Sequence, residues 1–297
     1  MTNRQYRYTS LPEKLADGLW LLGNSYFNLY LVRGTKASAL IEMGVSATAN
    51  NVAAQLSKLG VAPDYLIVMH PHPDHINGLP ALKNYFPLAT VIAGEGAPEF
   101  IAHPKTAAGL ISEDRYFSEF LSSKGYSIQR PPLTEAPSLD GATIIHDNEE
   151  LNLGGMNLRF LDVEGHALGH LALYIPELKA LMPSDSLGFR IPSRGFFPIF
   201  FTGYDEYMAT IERLRAFNPT ILGLPHQGPL HGDEVREAFE TGIRNAKDMQ
   251  EKIRNDKRPE EEIIEDIYKN YYQDELIMYT PENIITCCKL LIRRSKN

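Results

Sequence analysis

One six-residue segment constrains this chain more than any other feature. The apolar run Tyr65-Leu66-Ile67-Val68-Met69 leads straight into His70-Pro71-His72-Pro73-Asp74-His75. Consecutive strand formers of this kind predict a buried strand. Three imidazoles and a carboxylate directly behind it need polar partners wherever they are buried, so the strand must end where other polar groups converge. If the chain stays extended, as Pro71 and Pro73 favour, His70 and His72 project to the same side and can reach one metal ion. Asp74 and His75 then point elsewhere and can serve a second ion, since paired ions in hydrolases sit roughly 3.5–4 Å apart. A polar surface loop accounts for any one of these histidines, but poorly for so many together.

On the N-terminal side, strands are expected at Leu19–Leu22, Asn28–Val32 and Ala39–Glu42, followed by a helix from Ala47 to Leu59 that Gly60 stops. After the histidine segment come a short helix from Ile76 to Tyr85, a strand at Thr90–Ala93 and helical sequence around Glu113 to Gly125. Gly141 to Tyr174 carries several short strands, and the strand Lys179–Met182 ends at Ser184-Asp185. An amphipathic helix, Tyr204–Phe217, precedes the strand Thr220–Leu224 and the loop Pro225-His226-Gln227-Gly228.

From Asp233 onward the sequence is charged and poor in strand formers, and three helices are expected. The second begins at Pro259, with Glu260, Glu261 and Glu262 at the positive end of its dipole. The third begins at Thr280-Pro281 and closes on Arg293, Arg294 and Lys296, a basic cluster that suits the negative end. The expected division is a catalytic domain over residues 1–232 and a helical extension over residues 233–297.

Composition limits the partners. A net charge of -8, from 37 acidic and 29 basic residues, argues against a surface built to neutralise nucleic acid. The only two cysteines, Cys287 and Cys288, are adjacent, so neither a disulfide framework nor a cysteine metal site is expected. Met1 to Leu22 lacks the apolar run of a signal peptide, and no stretch approaches the roughly 18 apolar residues of a membrane span. A soluble cytoplasmic protein is the expectation, with no membrane or nucleic-acid partner; the oligomeric state is left open.

His70-x-His72-x-Asp74-His75 resembles the HxHxDH signature of the metallo-β-lactamase superfamily. The resemblance covers about residues 17 to 232 and implies a four-layer αββα sandwich, here with a C-terminal helical extension. It also implies further ligands in the order Gly-His, Asp and late His, for which Gly165-His166, Asp185 and His226 stand in order. By this resemblance His70, His72 and His166 hold the first ion, Asp74, His75 and His226 the second, and Asp185 bridges both. Ser184-Asp185-Ser186 in place of the usual Gly-Asp pair, and Pro225-His226-Gln227-Gly228 in place of Gly-His-Gly, are departures that bear on loop geometry. In Gly165-His166-Ala167-Leu168-Gly169-His170 the family pattern makes His166 the ligand and His170 a structural hydrogen-bonding residue. His103, His146 and His231 are expected to be ordinary surface or core histidines.

Imidazole and carboxylate donors suit two divalent ions, zinc first, with iron or manganese as alternatives. Such ions lower the pKa of bound water from 15.7 toward about 7, and Asp74 is the expected catalytic residue, orienting the hydroxide and accepting a proton. The substrate is expected to be a small molecule. After Asp185 an aromatic segment supplies Phe189, Phe196, Phe197, Phe200, Phe201, Tyr204 and Tyr207; Phe196, Phe197, Phe200 and Phe201 are the expected acyl-binding wall, against the plainer role of packing a helix on the sheet. Asp185-Ser186-Leu187-Gly188, this insert and the helical tail together resemble the thioesterase branch related to 2-aminobenzoylacetyl-CoA thioesterase, in which the extra helices cover the site. That implies a thioester substrate. Phosphodiester or RNA cleavage, also found on this fold, and a non-catalytic metal-binding regulator are the alternatives.

Overall fold

Strands buried on both faces build the centre of the molecule. The computed structural model describes residues 11–296; residues 1–10 of the expected first domain and Asn297 lie outside the described residues. Strands β1 (Glu13–Ala16), β2 (Leu19–Gly23), β3 (Asn28–Arg33) and β4 (Ser38–Ile41) form an antiparallel meander. Helix α1 (Ala49–Lys58) then leads to β5 (Tyr65–Ile67), the short helices α2 (Pro73–Ile76) and α3 (Leu79–Tyr85) to β6 (Thr90–Gly94), and α4 (Ala97–Ala102) with α5 (Pro104–Ser123) to β7 (Thr143–Ile145). From β4 to β7 the strands pair parallel in chain order, completing a seven-stranded sheet.

A second sheet takes β8 (Glu150–Asn152), β9 (Asn157–Asp162), β10 (Leu171–Ile175) and β11 (Ala180–Met182). The chain then makes a separate hairpin, β12 (Phe189–Ile191) and β13 (Gly195–Phe197), and helix α6 (Tyr204–Arg215) before returning as β14 (Ile221–Gly223) and β15 (Pro229–His231). The spatial order is β15-β14-β11-β10-β9-β8, with β14 parallel to β11. Residues that face inward, among them Leu19, Leu21, Tyr30, Ile41 and Ile67 from the first sheet and Phe160, Leu171, Leu173 and Met182 from the second, form one buried cluster. Their strand neighbours Leu31, Leu40, Leu66, Leu161 and Ala172 face outward into the layer of helices. The αββα sandwich follows from this alternation.

After Gly232 come α7 (Asp233–Asn255), α8 (Glu260–Tyr271), a single turn over Asp274–Met278 and α9 (Pro281–Lys296). Phe239, Met249, Ile263, Ile267 and Leu291 of these helices belong to the same apolar cluster as the helices over the first sheet, so the extension packs into the helix layer outside the sheets. Among the described residues no helix is long and apolar enough to cross a membrane. Both cysteines are free.

Three local expectations change. The helix expected from Ile76 to Tyr85 is two helices, because Gly78 closes onto the β4–α1 connection: its N–H bonds Gly44 O at 2.9 Å, and a Cβ there would lie 2.0 Å from Met43 O. The helix expected around Glu113 begins at Pro104, with Gly109 inside it hiding the periodicity. Pro259 is the residue before α8 rather than its first helical position, with ψ at 147°.

Candidate metal centre

All the ligand candidates lie at one edge of the sandwich, where strands of both sheets end. The chain leaves β5, bends at Met69, reaches His72 in an extended conformation (φ -79°, ψ 155°) and then turns into α2, which carries Asp74 and His75. His166 lies in the β9–β10 connection, Asp185 follows β11 and His226 follows β14. Gly165 makes the first of these placements possible: its φ is +94°, and a Cβ there would lie 2.3 Å from the backbone of Tyr207.

Two donor sets result. His70, His72, His166 and Asp185 form one, and Asp74, His75, Asp185 and His226 the other, each with one donor atom per residue and all of a set's atoms within 4.8 Å of one another. In the first, His166 Nε2 lies 3.3 Å from His70 Nε2 and 3.0 Å from His72 Nδ1, and the latter two are 3.1 Å apart. Four donors placed tetrahedrally about zinc at about 2.0–2.1 Å stand roughly 3.3 Å from one another, so the spacing fits an ion of that size. In the second set Asp74 Oδ2 is 3.0 Å from both His75 Nε2 and His226 Nε2. His75 Nε2 is buried and close to that carboxylate without hydrogen-bond alignment, and Asp185 Oδ1 is likewise buried without a hydrogen-bond partner among the described residues. Donors left in this state suit a cation.

Ring orientation is fixed from behind. Imidazole Nδ1 of His166 pairs with Ile199 O at 2.9 Å, and that of His226 with Tyr26 O at 2.7 Å, which turns each Nε2 lone pair toward the centre. His75 Nδ1 meets Glu42 Oε2 at 2.8 Å. His70 Nδ1 meets Ser184 Oγ at 3.2 Å, and Ser184 donates in turn to Glu42 Oε1 at 2.6 Å. One carboxylate thus orients a histidine of each donor set. Glu42 and Ser184 both hold positive φ, 65° and 48°, a backbone cost of about 1–3 kcal/mol each that the surrounding contacts must offset. Glu42→Gln is expected to weaken metal retention by about 10–100-fold while leaving the fold intact, the range for lost outer partners of ligands; titration against a chelator checks it, and unchanged retention would remove Glu42 from the site.

Electrostatics suit ligation most directly in the first set. Burial and the surrounding imidazoles hold His70 well below the ordinary histidine value, and burial pushes His72 down to about 3 and lowers His166. These rings are neutral and able to donate lone pairs. Burial opposes charge on His75 too, but Asp74, Glu42 and Asp185 outweigh it and raise its value well above normal. Asp74 and Asp185 would be raised by burial, yet His75 and the other imidazoles hold both carboxyls low and ionised. The centre is a negative pocket lined with imidazoles, attractive to divalent cations.

His170 does not fill its expected role. It is buried, and neither ring nitrogen has a hydrogen-bond partner among the described residues; its ring packs 4.8 Å from His70 and 5.2 Å from His166. It props the ligand rings by contact, and it belongs to neither donor set.

A cavity of about 190 Å³ opens on both sets. Of the four phenylalanines expected as its wall, Phe197 and Phe201 line it and Phe196 and Phe200 do not. The β12–β13 hairpin alternates, so Phe197 and Phe196 face opposite sides and Phe196 turns toward α7 beside Ala238 and Thr241. Phe200 is fully buried against Tyr204 and Tyr207, the plainer packing role. Phe189 and Ile199 complete that wall. The opposite wall is the C-terminal extension: Leu276, Tyr279, and Asn283, Ile284, Cys287 and Leu290 along one face of α9. Tyr279 Oη donates to Asp74 Oδ2 at 2.7 Å. Sequence spacing carries no signal for Tyr279, 205 positions after Asp74; for Glu42 the signal is a charged residue closing a buried strand.

Comparison with known proteins agrees with this geometry. The profile of the metallo-beta-lactamase superfamily matches residues 24–226. The metallo-beta-lactamase fold-containing protein ST1585 of Sulfurisphaera tokodaii is 28% identical over 207 residues, 67% of this chain and 72% of that one. A hydroxyacylglutathione hydrolase of Ruegeria pomeroyi is 26% identical over 160 residues, 53% of this chain, and the match spans only 47% of the hydrolase. Among solved structures, a metallo-beta-lactamase family protein of Thermus thermophilus superimposes with a TM-score of 0.62 at 20% identity, covering 92% of this chain and 93% of that one. The alkylsulfatase Pisa1 of a Pseudomonas species reaches 0.66 at 16% identity, covering 95% of this chain and 49% of the sulfatase. With the profile matching more than half of its length, this chain belongs to the metallo-beta-lactamase superfamily.

Proposed function

We propose that the chain is a two-metal hydrolase acting on thioesters of the acyl-CoA class, with zinc as the resident ion. The observation that carries the substrate class is the cavity over the donor sets: its wall is mostly aromatic and aliphatic, and no Lys or Arg is among the described residues that line it. Phosphodiester cleavage favours cations placed around the transferred group. A thioester needs instead an apolar seat for the acyl part, and the aromatic wall supplies one. At about 190 Å³ the cavity is smaller than the roughly 300–1,000 Å³ of complete ligand pockets, so it suits the acyl end with the remainder of the substrate outside.

When bound, divalent ions supply Lewis acidity and bring the pKa of water down toward about 7. His70, His72, His166 and Asp185 would hold one and Asp74, His75, His226 and Asp185 the other. Asp74 orients the attacking water and accepts its proton at a carboxylate oxygen. A departing thiolate has a pKa near 8.5, so the chain need not place a strong acid beside it. Hydroxyacylglutathione hydrolases among the relatives, named for an acyl group carried on glutathione, favour a thioester, though not CoA in particular. The test is free-thiol release from short, long and aromatic acyl-CoAs by zinc-loaded protein, beside cleavage of bis(p-nitrophenyl) phosphate and single-stranded RNA. Metal-dependent thiol release is expected. Phosphodiester cleavage without thiol release would overturn the substrate class, and inactivity on both would favour a metal-binding regulator.

A further inference from the structure

Tyr279 belongs to the extension, yet its hydroxyl ends in the metal centre. It stands between the Asp274–Met278 turn and α9, is buried, and donates to the Asp74 oxygen that also lies 3.0 Å from His226 Nε2. Its ring is held edge-on by Phe117 at 5.5 Å and Phe189 at 5.7 Å, one from α5 and one from β12. The backbone on either side is tied down as well. Tyr279 O accepts from Tyr272 Oη at 3.0 Å, and that hydroxyl shares a hydrogen bond with Tyr116 of α5. Thr280 N donates to Glu113 of α5 at 3.2 Å and the Thr280 hydroxyl donates to the same carboxylate, while Asn283 N donates to Thr280 Oγ1 at 3.1 Å, capping α9. A phenol clamped on both sides and delivered to one carboxylate oxygen is more than a wall needs.

We infer that Tyr279 is a positioning residue for Asp74: the extension supplies, from outside the sandwich, the hydroxyl that sets the carboxylate's orientation toward the ions and the attacking water. This rests on reading the site as a two-metal hydrolytic centre. Losing such an outer partner of a ligand costs about 10–100-fold in metal affinity or activity. The aromatic ring, which lines the cavity, contributes to substrate binding separately, so removing only the hydroxyl separates the two roles.

The experiment is Tyr279→Phe in the full chain, with metal retention measured against a chelator, the visible spectrum of the cobalt(II)-substituted protein, and kcat and KM on the best thioester. Expected are an unchanged Tm, retention of one ion weakened about 10-fold or more, an altered cobalt spectrum, and a kcat about 10–100-fold lower at unchanged KM. Wild-type retention and spectrum overturn the inference, as does a loss confined to KM, which would make the hydroxyl a substrate contact. Should Tyr279→Phe misfold, Thr280→Val, which loosens the clamp and leaves the phenol in place, is expected to shift the same spectrum; no shift there counts against the inference. If the wild-type protein cleaves no thioester, the substrate proposal falls alone, because retention and spectrum still decide the role of Tyr279.

Discussion

Asp185→Ala protein is expected to lose most of both ions, where His226→Ala loses mainly one and His170→Ala neither. Asp185 is the residue common to both donor sets, and its Oδ2 lies 3.7 Å from His70 Nε2, 3.4 Å from His75 Nε2 and 3.5 Å from His166 Nε2. Without it, each set keeps three donors and the charge facing the cations halves. Turnover should fall by more than about 100-fold, since even outer partners of ligands are worth about 10–100-fold. Metal content of the three purified variants, measured beside wild type, checks this. Full occupancy in Asp185→Ala would end its role as the shared ligand, and metal loss in His170→Ala but not His166→Ala would reassign the histidine of the β9–β10 connection.

Asp74→Asn separates ligation from proton handling. Asparagine keeps the shape and can still accept the hydrogen bond from Tyr279, but it presents no negative charge to the ions and cannot take up a proton from the attacking water. In molecules that still hold two ions, kcat is expected to fall at least about 100-fold, the size of lost general acid–base assistance. Measuring turnover per bound ion isolates this from metal loss, and wild-type kcat in fully loaded Asp74→Asn would leave Asp74 a ligand only.

Much of this could be read from the chain because the signals are local. Runs of strand formers gave β2 to β5, and the strand before His70 with its prolines gave the side to which His70 and His72 project. The positions of His166, Asp185 and His226 came from the family pattern, and the structure gathers all of them within two donor sets. What stayed hidden depends on tertiary packing. The aromatic insert was visible as composition, but only the β12–β13 register separates Phe197 from Phe196, and only the fit of α6 sends Phe200 into the core. His170 looked like a hydrogen-bonding residue because its spacing from His166 says nothing of what surrounds the ring. Glu42 and Tyr279 reach the site across long sequence separations, 33 residues to His75 and 205 to Asp74, for which no periodicity exists.

The distribution of the ligands also bears on how the protein assembles. His70 to His75 arrive with the first sheet, whereas His166, Asp185 and His226 require the second to be closed, and Tyr279 requires the extension to dock. Contacts of such range form only after large loop-closure costs have been met. A chain lacking either sheet therefore holds no complete donor set, so the centre depends on the whole sandwich rather than on any one segment of it.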